Sequence, residues 1–211
     1  MAPTSSFPHQ GLYVITKEGS SNIDLLRAHV QGALRGGARV VQYRAKRAAH
    51  PLLEAQALLE VCRTQGVPLL INDDIDLCLK IGADGVHIGH EDEKLKVARN
   101  RLGPHAIIGV SCYNSVDRAL SAQEDSANYV AFGRFFPSST KPNAPQADID
   151  TLTLARQELS VPIVAIGGVT AENGVMLLEA GADLLAVIEG VFGAPNPEVA
   201  ARRYNQLWSP T

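Results

Sequence analysis

Residues 68–89 read PLLINDDIDLCLKIGADGVHIG. The stretch opens on a short apolar run without polar alternation and passes through DIDLCLKIG, whose apolar residues keep helical spacing. It closes on a second apolar run, GVHIG, entered through a glycine of the kind that ends helices. Continuous apolar strands belong to parallel sheet buried on both faces, and parallel neighbours need a crossover helix between them. The stretch is therefore one complete βαβ unit, with polar residues gathered where its first strand ends.

Worked outward, the same rhythm fills the chain. Further strands are expected at LYVIT (12–16), RVVQYRA (39–45), AIIGVSC (106–112), YVAFG (129–133), PIVAIGG (162–168) and LLAVIEG (184–190), beside PLLIND (68–73) and GVHIG (85–89). Amphipathic stretches such as IDLLRAHVQGALRGG, LLEAQALLEVCRTQG and AENGVMLLEAGA separate them. Eight such units predict an α/β fold, a single-domain (β/α)8 TIM barrel, at the small end of its size range. An open doubly wound sheet is the competitor, but no G-x-G-x-x-G follows the first strand. The boundaries GGARVV, GADGVH and GADLLA also repeat one helix-to-strand solution. Residues 1–10 form a polar lead that need not be ordered, and residues 11–211 form the barrel.

With 45 % hydrophobic and 19 % charged residues, the 211-residue chain has ordinary globular composition and enough length for a full core. A net charge of -3 offers no general attraction to nucleic acid or to an anionic membrane, so anion recognition must be local. No apolar run approaches the roughly 18 to 20 residues that span a bilayer, and the N-terminus lacks signal-peptide character. A cytoplasmic protein acting on small molecules is expected. Cys62, Cys78 and Cys112 are scattered and odd in number, which favours reduced packing residues over disulfides or zinc. A homo-oligomer is compatible with all of this.

Barrel chemistry sits at the C-terminal ends of the strands. QYRAK puts Gln42, Arg44 and Lys46 at period two, an anion pocket with an amide beside it, or else a solvated strand end. Asp73, in INDD, and Asp92, in GHEDEK, stand at neighbouring strand ends and suit Mg²⁺, which takes carboxylate, water and phosphate oxygens. Helix capping by Asp73 or Asp74 and by Asp92 is an equal alternative, and Asn72 would hydrogen-bond a heterocycle. His87 and His90 have a spacing that invites zinc, yet no third ligand follows, and His87 alternates into the barrel interior as a core histidine. Ser111 can donate to an anion. Gly167 and Gly168 precede a helix starting near Ala171, the usual place for a barrel phosphate site. After the sixth strand, FGRFFPSSTKPNAP (132–145) offers Ser138, Ser139, Thr140 and Lys141 in a long proline-stiffened loop of the kind that usually serves function.

Together, GLYVIT, QYRAK, the segment from LLINDD to GHED, IIGVSC, YVAFGRFFPSSTKPNAP and the segment from AIGGVT to IEGVF resemble the thiamine-phosphate synthase family in order and spacing, over about residues 11–193. The glycine turn is generic to phosphate-binding barrels, whereas Gln-x-Arg-x-Lys, Asn-Asp and Ser-Thr-Lys-Pro in combination are specific. The resemblance implies that two small phosphorylated heterocycles are joined. These are 4-amino-2-methyl-5-hydroxymethylpyrimidine diphosphate and 4-methyl-5-(2-hydroxyethyl)thiazole phosphate, which give thiamine phosphate and pyrophosphate by a dissociative route. It implies Arg44, Lys46, Ser111 and Lys141 on the diphosphate, Gln42 and Asn72 on the pyrimidine, and Asp73 and Asp92 on Mg²⁺. Ser138, Ser139, Thr140, Gly168 and the backbone around Ile188 and Glu189 would take the thiazole phosphate, which makes the loop a candidate lid touching both substrates.

Two positions depart from the family pattern. Ala45 stands where an acidic residue is common, and faces the far side of the strand from Arg44 and Lys46. Glu189 stands where serine is common, and its carboxylate would repel a phosphate unless it turns away and leaves contact to the backbone. A thiazole tautomerase-like isomerase of the same fold is an alternative, against which the complete diphosphate set argues. A non-catalytic sensor of thiamine phosphate or its precursors, keeping every contact, is another.

Overall fold

Eight short strands carry the structure: β1 (Gly11–Ile15), β2 (Ala38–Tyr43), β3 (Leu69–Asn72), β4 (Gly85–Ile88), β5 (Ile107–Tyr113), β6 (Tyr129–Phe132), β7 (Ile163–Ile166) and β8 (Leu184–Val187). Each pairs in parallel with the next, and β8 returns to pair with β1, closing the barrel. The helices between them are α1 (Ile23–Arg35), α2 (Pro51–Gln65), α3 (Ile75–Ile81), α4 (Asp92–Leu102), α5 (Val116–Glu124), α6 (Asp150–Glu158) and α7 (Ala171–Glu179). After β8 come a short α8 (Glu189–Phe192) and α9 (Pro197–Asn205), which the sequence reading did not single out. This is a computed structural model, and it describes residues 6–17, 22–44, 46, 48–89, 92–137 and 145–208, with the backbone alone at 92 and 93.

The (β/α)8 expectation holds, and all eight expected strands form. Expected bounds differ from the observed ones by a few residues; β2 stops at Tyr43, so Arg44 and Lys46 belong to the turn that follows it. Two cores result from the alternation of side chains along each strand. Outside the sheet, Leu12, Val14, Val41, Ile71, Val86 and their like meet the apolar faces of the helices. Inside it, Tyr13, Val40, Leu70, Ile107, Tyr129, Val164 and Leu184 fill the barrel. Gly109 on β5 makes room for that filling, because a Cβ there would lie 1.9 Å from the ring of Tyr129.

The polar lead contributes to this interior. Phe7 is buried, and its ring lies against that of Tyr129 with centroids 4.0 Å apart and planes 5° apart. A chain with few aromatic residues thus uses one from outside the strands to close the barrel floor. The three cysteines are buried free thiols. Burial pushes Cys78 and Cys112 each up to about 12, which leaves them protonated and unreactive near neutrality. Among the described residues no helix is long and apolar enough to cross a membrane.

Candidate active site

A cavity of about 570 Å³ opens at the C-terminal ends of the strands, within the size range of small-molecule sites. On its β2 side stand Gln42, Arg44 and Lys46. The Arg44 backbone is held by the buried Thr16, whose hydroxyl accepts from Arg44 N–H at 2.9 Å. From β3 come Asn72 and Asp73, the two side chains joined by a 2.8 Å bond from Asn72 Nδ2 to Asp73 Oδ2. Backbone geometry assigns the cap of α3. Asp74 is the N-cap of α3, accepting from Leu77 N–H at 2.8 Å. Asp73 precedes the cap with φ at 61°, a left-handed conformation uncommon outside glycine, and lines the cavity. Asp92 opens α4 as its first helical residue, and nothing more is described of it.

Behind these residues a file of hydrogen bonds crosses the barrel. Gln42 Nε2 donates to Tyr13 Oη at 2.7 Å, and Tyr13 Oη meets Tyr129 Oη at 2.8 Å. Tyr129 Oη meets His87 Nδ1 at 2.8 Å, and His87 Nε2 meets Ser111 Oγ at 2.8 Å. With Gln42 donating, these contacts accommodate an order in which Tyr13 donates to Tyr129, Tyr129 to Nδ1 of a neutral His87, and Nε2–H to Ser111. Ser111, which lines the cavity, then has its own O–H left to donate into it. Burial raises the pKa of both tyrosines, so neither loses the proton that the file requires. Both ring nitrogens of His87 are engaged as a core histidine's are; its zinc partner by spacing, His90, lies outside the described residues.

The opposite wall is built from β6, β7 and β8. Gly167 and Gly168 turn with φ at 103° and 65°, and a Cβ on Gly168 would come within 2.3 Å of Pro137 O, so both conformation and space call for glycine there. Thr170 caps α7 in a capping box with Asn173, whose Nδ2 also holds the Gly168 carbonyl at 3.1 Å. Ile188 and Glu189 follow β8 along the same wall. The Glu189 carboxylate does not stand unpaired: Lys17 Nζ donates to its Oε2 at 2.9 Å.

Of the residues named from sequence, Ser138, Ser139, Thr140 and Lys141 lie outside the described residues, as do Ala45 and the lid. The ends of that loop are described. Phe136 N–H donates to Gly167 O at 2.9 Å, and Ala147 N–H to Arg134 O at 2.7 Å, which pins both ends beside the cavity. Gln42, Arg44, Lys46, Asn72, Asp73, His87, Ser111, Gly167, Gly168, Ile188 and Glu189 line the cavity together. Residues matching the family model for thiamine monophosphate synthase run from 12 to 191.

The chain belongs to that family. It is 48 % identical to thiamine-phosphate synthase of Thioalkalivibrio sulfidiphilus over 92 % of this chain and 93 % of that one. It is likewise 48 % identical to thiamine-phosphate synthase of Methylococcus capsulatus, over 96 % and 91 %. Among solved structures, thiamine phosphate pyrophosphorylase from Pyrococcus furiosus superposes with a TM-score of 0.82 at 31 % identity, covering 94 % of this chain and 95 % of that one. For this member of the thiamine monophosphate synthase family, the structure adds residues to the cavity that the sequence reading left aside: Tyr13, Lys94, Tyr113, Arg134 and Thr170. Lys94 and Arg134 were legible as cations near strand ends. Tyr13 was not, because it lies inside an apolar run and reaches Gln42 only once β1 and β2 are paired.

Proposed function

We infer that this chain acts as a thiamine-phosphate synthase, a transferase that joins the pyrimidine diphosphate and the thiazole phosphate in the cavity at the strand ends. The observation that carries the reading is the convergence of Arg44, Lys46, Asn72, Asp73 and Ser111 on one wall and Gly168, Ile188 and Glu189 on the other. A cationic, hydrogen-bonding wall facing a glycine turn is what two phosphorylated rings held face to face require. The chemistry is dissociative. The bond from the pyrimidine methylene to the diphosphate oxygen breaks with its electron pair going to oxygen. The thiazole nitrogen lone pair then forms the new carbon–nitrogen bond to the pyrimidine-methyl cation, and pyrophosphate leaves.

No protein nucleophile is needed. Arg44, Lys46 and Lys141 hold the diphosphate and take up its growing charge, Ser111 donates to it, and Gln42 and Asn72 orient the pyrimidine. Ser138, Ser139, Thr140, Gly168 and the backbone at Ile188 and Glu189 receive the thiazole phosphate. The donor set fits Mg²⁺: Asp74 rather than Asp73 caps α3, so the Asp73 carboxylate would hold the ion beside a diphosphate, and Asp92 would be the second residue to hold it. When bound, Mg²⁺ supplies positive charge against the departing pyrophosphate. Buried thiols without disulfides suit a reducing cytoplasm.

The test is to incubate purified protein with both substrates and Mg²⁺ and to follow thiamine phosphate and pyrophosphate. Both should appear in equal amounts. Binding of either substrate without product would make the protein a sensor, and turnover of a thiazole tautomer alone would make it an isomerase. Asp73→Ala should raise the Mg²⁺ concentration needed for half-maximal rate at least tenfold. Asp74→Ala should leave that concentration alone and cost about 1 kcal/mol of stability as a lost cap. A wild-type Mg²⁺ profile in Asp73→Ala would remove Asp73 from the metal site.

A further inference from the structure

Glu189 starts α8 and lines the cavity on the wall that carries Gly168. Lys17 stands just past the end of β1, and β1 and β8 are the hydrogen-bonded pair that closes the barrel. That closure lets residues 172 apart in sequence meet, Lys17 Nζ donating to Glu189 Oε2 at 2.9 Å. The carboxylate also leans toward Gly193, where a Cβ would come within 2.6 Å of Oε2. Gly193 has an ordinary φ of -87°, so its use there is space rather than backbone freedom, a Cβ meeting the Glu189 carbonyl oxygen at 2.6 Å as closely as it meets Oε2. An ammonium on one side and bare backbone on the other therefore define a seat for this carboxylate.

We propose that Lys17 is a positioning residue for the thiazole phosphate, holding the Glu189 carboxylate in that seat and neutralising it. The proposal rests on the thiamine-phosphate synthase reading of the cavity. A phosphate arriving beside Gly168 shares a wall with Glu189, and an unpaired carboxylate there repels it through a partly desolvated space. Pairing at 2.9 Å turns the single negative charge into a dipole, whose field falls off faster with distance. Lys17 thus makes a glutamate tolerable in a phosphate-binding wall. The two side chains are 50 % and 44 % exposed, so solvent screens the effect and keeps it near tenfold rather than thousandfold.

Steady-state kinetics with each substrate varied, calorimetric titration with the thiazole phosphate alone and thermal melts decide the matter. Lys17→Ala should raise both KM and Kd for the thiazole phosphate about tenfold, or about 1.4 kcal/mol. KM for the pyrimidine diphosphate should stay within about twofold and kcat within about threefold, since that substrate binds the opposite wall. Adding Glu189→Gln to Lys17→Ala should bring thiazole-phosphate binding back to within about threefold of wild type, because the charge to be neutralised has gone. Unchanged thiazole-phosphate binding in Lys17→Ala overturns the proposal. Failure of Glu189→Gln to rescue overturns it too, and makes Lys17 a direct phosphate ligand or a structural residue. If wild-type protein binds the thiazole phosphate without coupling it, the synthase reading fails while the calorimetric arm still decides the role of Lys17. If wild type does not bind it, both fall.

Discussion

Ser111 is useful to an anion only if its hydroxyl proton points into the cavity, and that direction is set across the barrel. In the proton order we assign to the file Gln42–Tyr13–Tyr129–His87, Ser111 receives at Oγ from His87 and is left to donate. Tyr129→Phe keeps the ring that Phe7 packs on but removes the hydroxyl in the middle of the file. Tyr13 then loses an acceptor and His87 a donor inside a buried network, which should cost about 1–3 kcal/mol of stability in urea unfolding. Freed of its orienting partner, Ser111 should support a rate with the pyrimidine diphosphate about tenfold lower. Ser111→Ala should lose about as much, and the two changes together should lose less than the sum, as members of one network do. Full additivity would show that the file does not act on Ser111. From sequence, Gln42 and Ser111 were legible as polar residues ending apolar runs. The link between them was not, because a bond between Tyr13 and Tyr129 depends on how strands on opposite sides of a closed barrel are staggered, which no local period records.

At the scale of elements, the helix-to-strand boundaries show a repeated device that the quoted glycine-alanine pairs only half reveal. Leu69 N–H donates to Asp84 Oδ2 at 2.9 Å while Asp84 N–H donates back to Leu69 O at 3.1 Å. Ile108 with Asn128 and Ile163 with Asp183 repeat the same two-way clamp. Each clamp ties the start of an odd-numbered strand to the residue just before the even-numbered strand beside it. Ala83, Ala127 and Ala182, one residue earlier, each donate to the carbonyl five residues back, which ends the helix. GGARVV does not share the clamp, since Gly37 has no side chain to give. The sequence showed the recurring Gly-Ala as a pattern; the reason for the Asp or Asn that follows Ala83, Ala127 and Ala182 is a strand-end N–H that would otherwise be buried without an acceptor. Asp84→Ala should therefore cost about 1–3 kcal/mol in urea unfolding. Asp84→Asn, which keeps an acceptor as Asn128 does, should cost under half of that. Because these clamps lie at the N-terminal ends of the strands, KM values for both substrates should not move in either variant.

The molecule as a whole is a tube stopped at one end and open at the other, and the two ends are coupled through the residues that fill it. Phe7 packs on Tyr129 at the floor, Tyr129 belongs to the hydrogen-bonded file, and the file ends on Gln42 and Ser111 at the mouth. The alternation of apolar runs and amphipathic helices made the barrel legible, because eight parallel strands buried on both faces have few other arrangements. The stopper was not legible. A single phenylalanine in MAPTSSFPHQ has no period, and only the space inside the finished barrel assigns it a place. Phe7→Ala should leave a cavity beneath Tyr129 and cost about 3–5 kcal/mol, the usual loss for a buried aromatic truncated to alanine. Phe7→Leu, which refills most of the volume, should cost less than half as much. If the floor matters to the mouth, Phe7→Ala should also lower kcat/KM for the pyrimidine diphosphate more than for the thiazole phosphate. The file reaches Gln42 and Ser111, on the side we assign to the pyrimidine, whereas Gly168 and Glu189 stand on the other wall. Urea unfolding and the two kcat/KM values measured on the same preparation check this, and an equal fall for both substrates would mean that Phe7 serves stability alone.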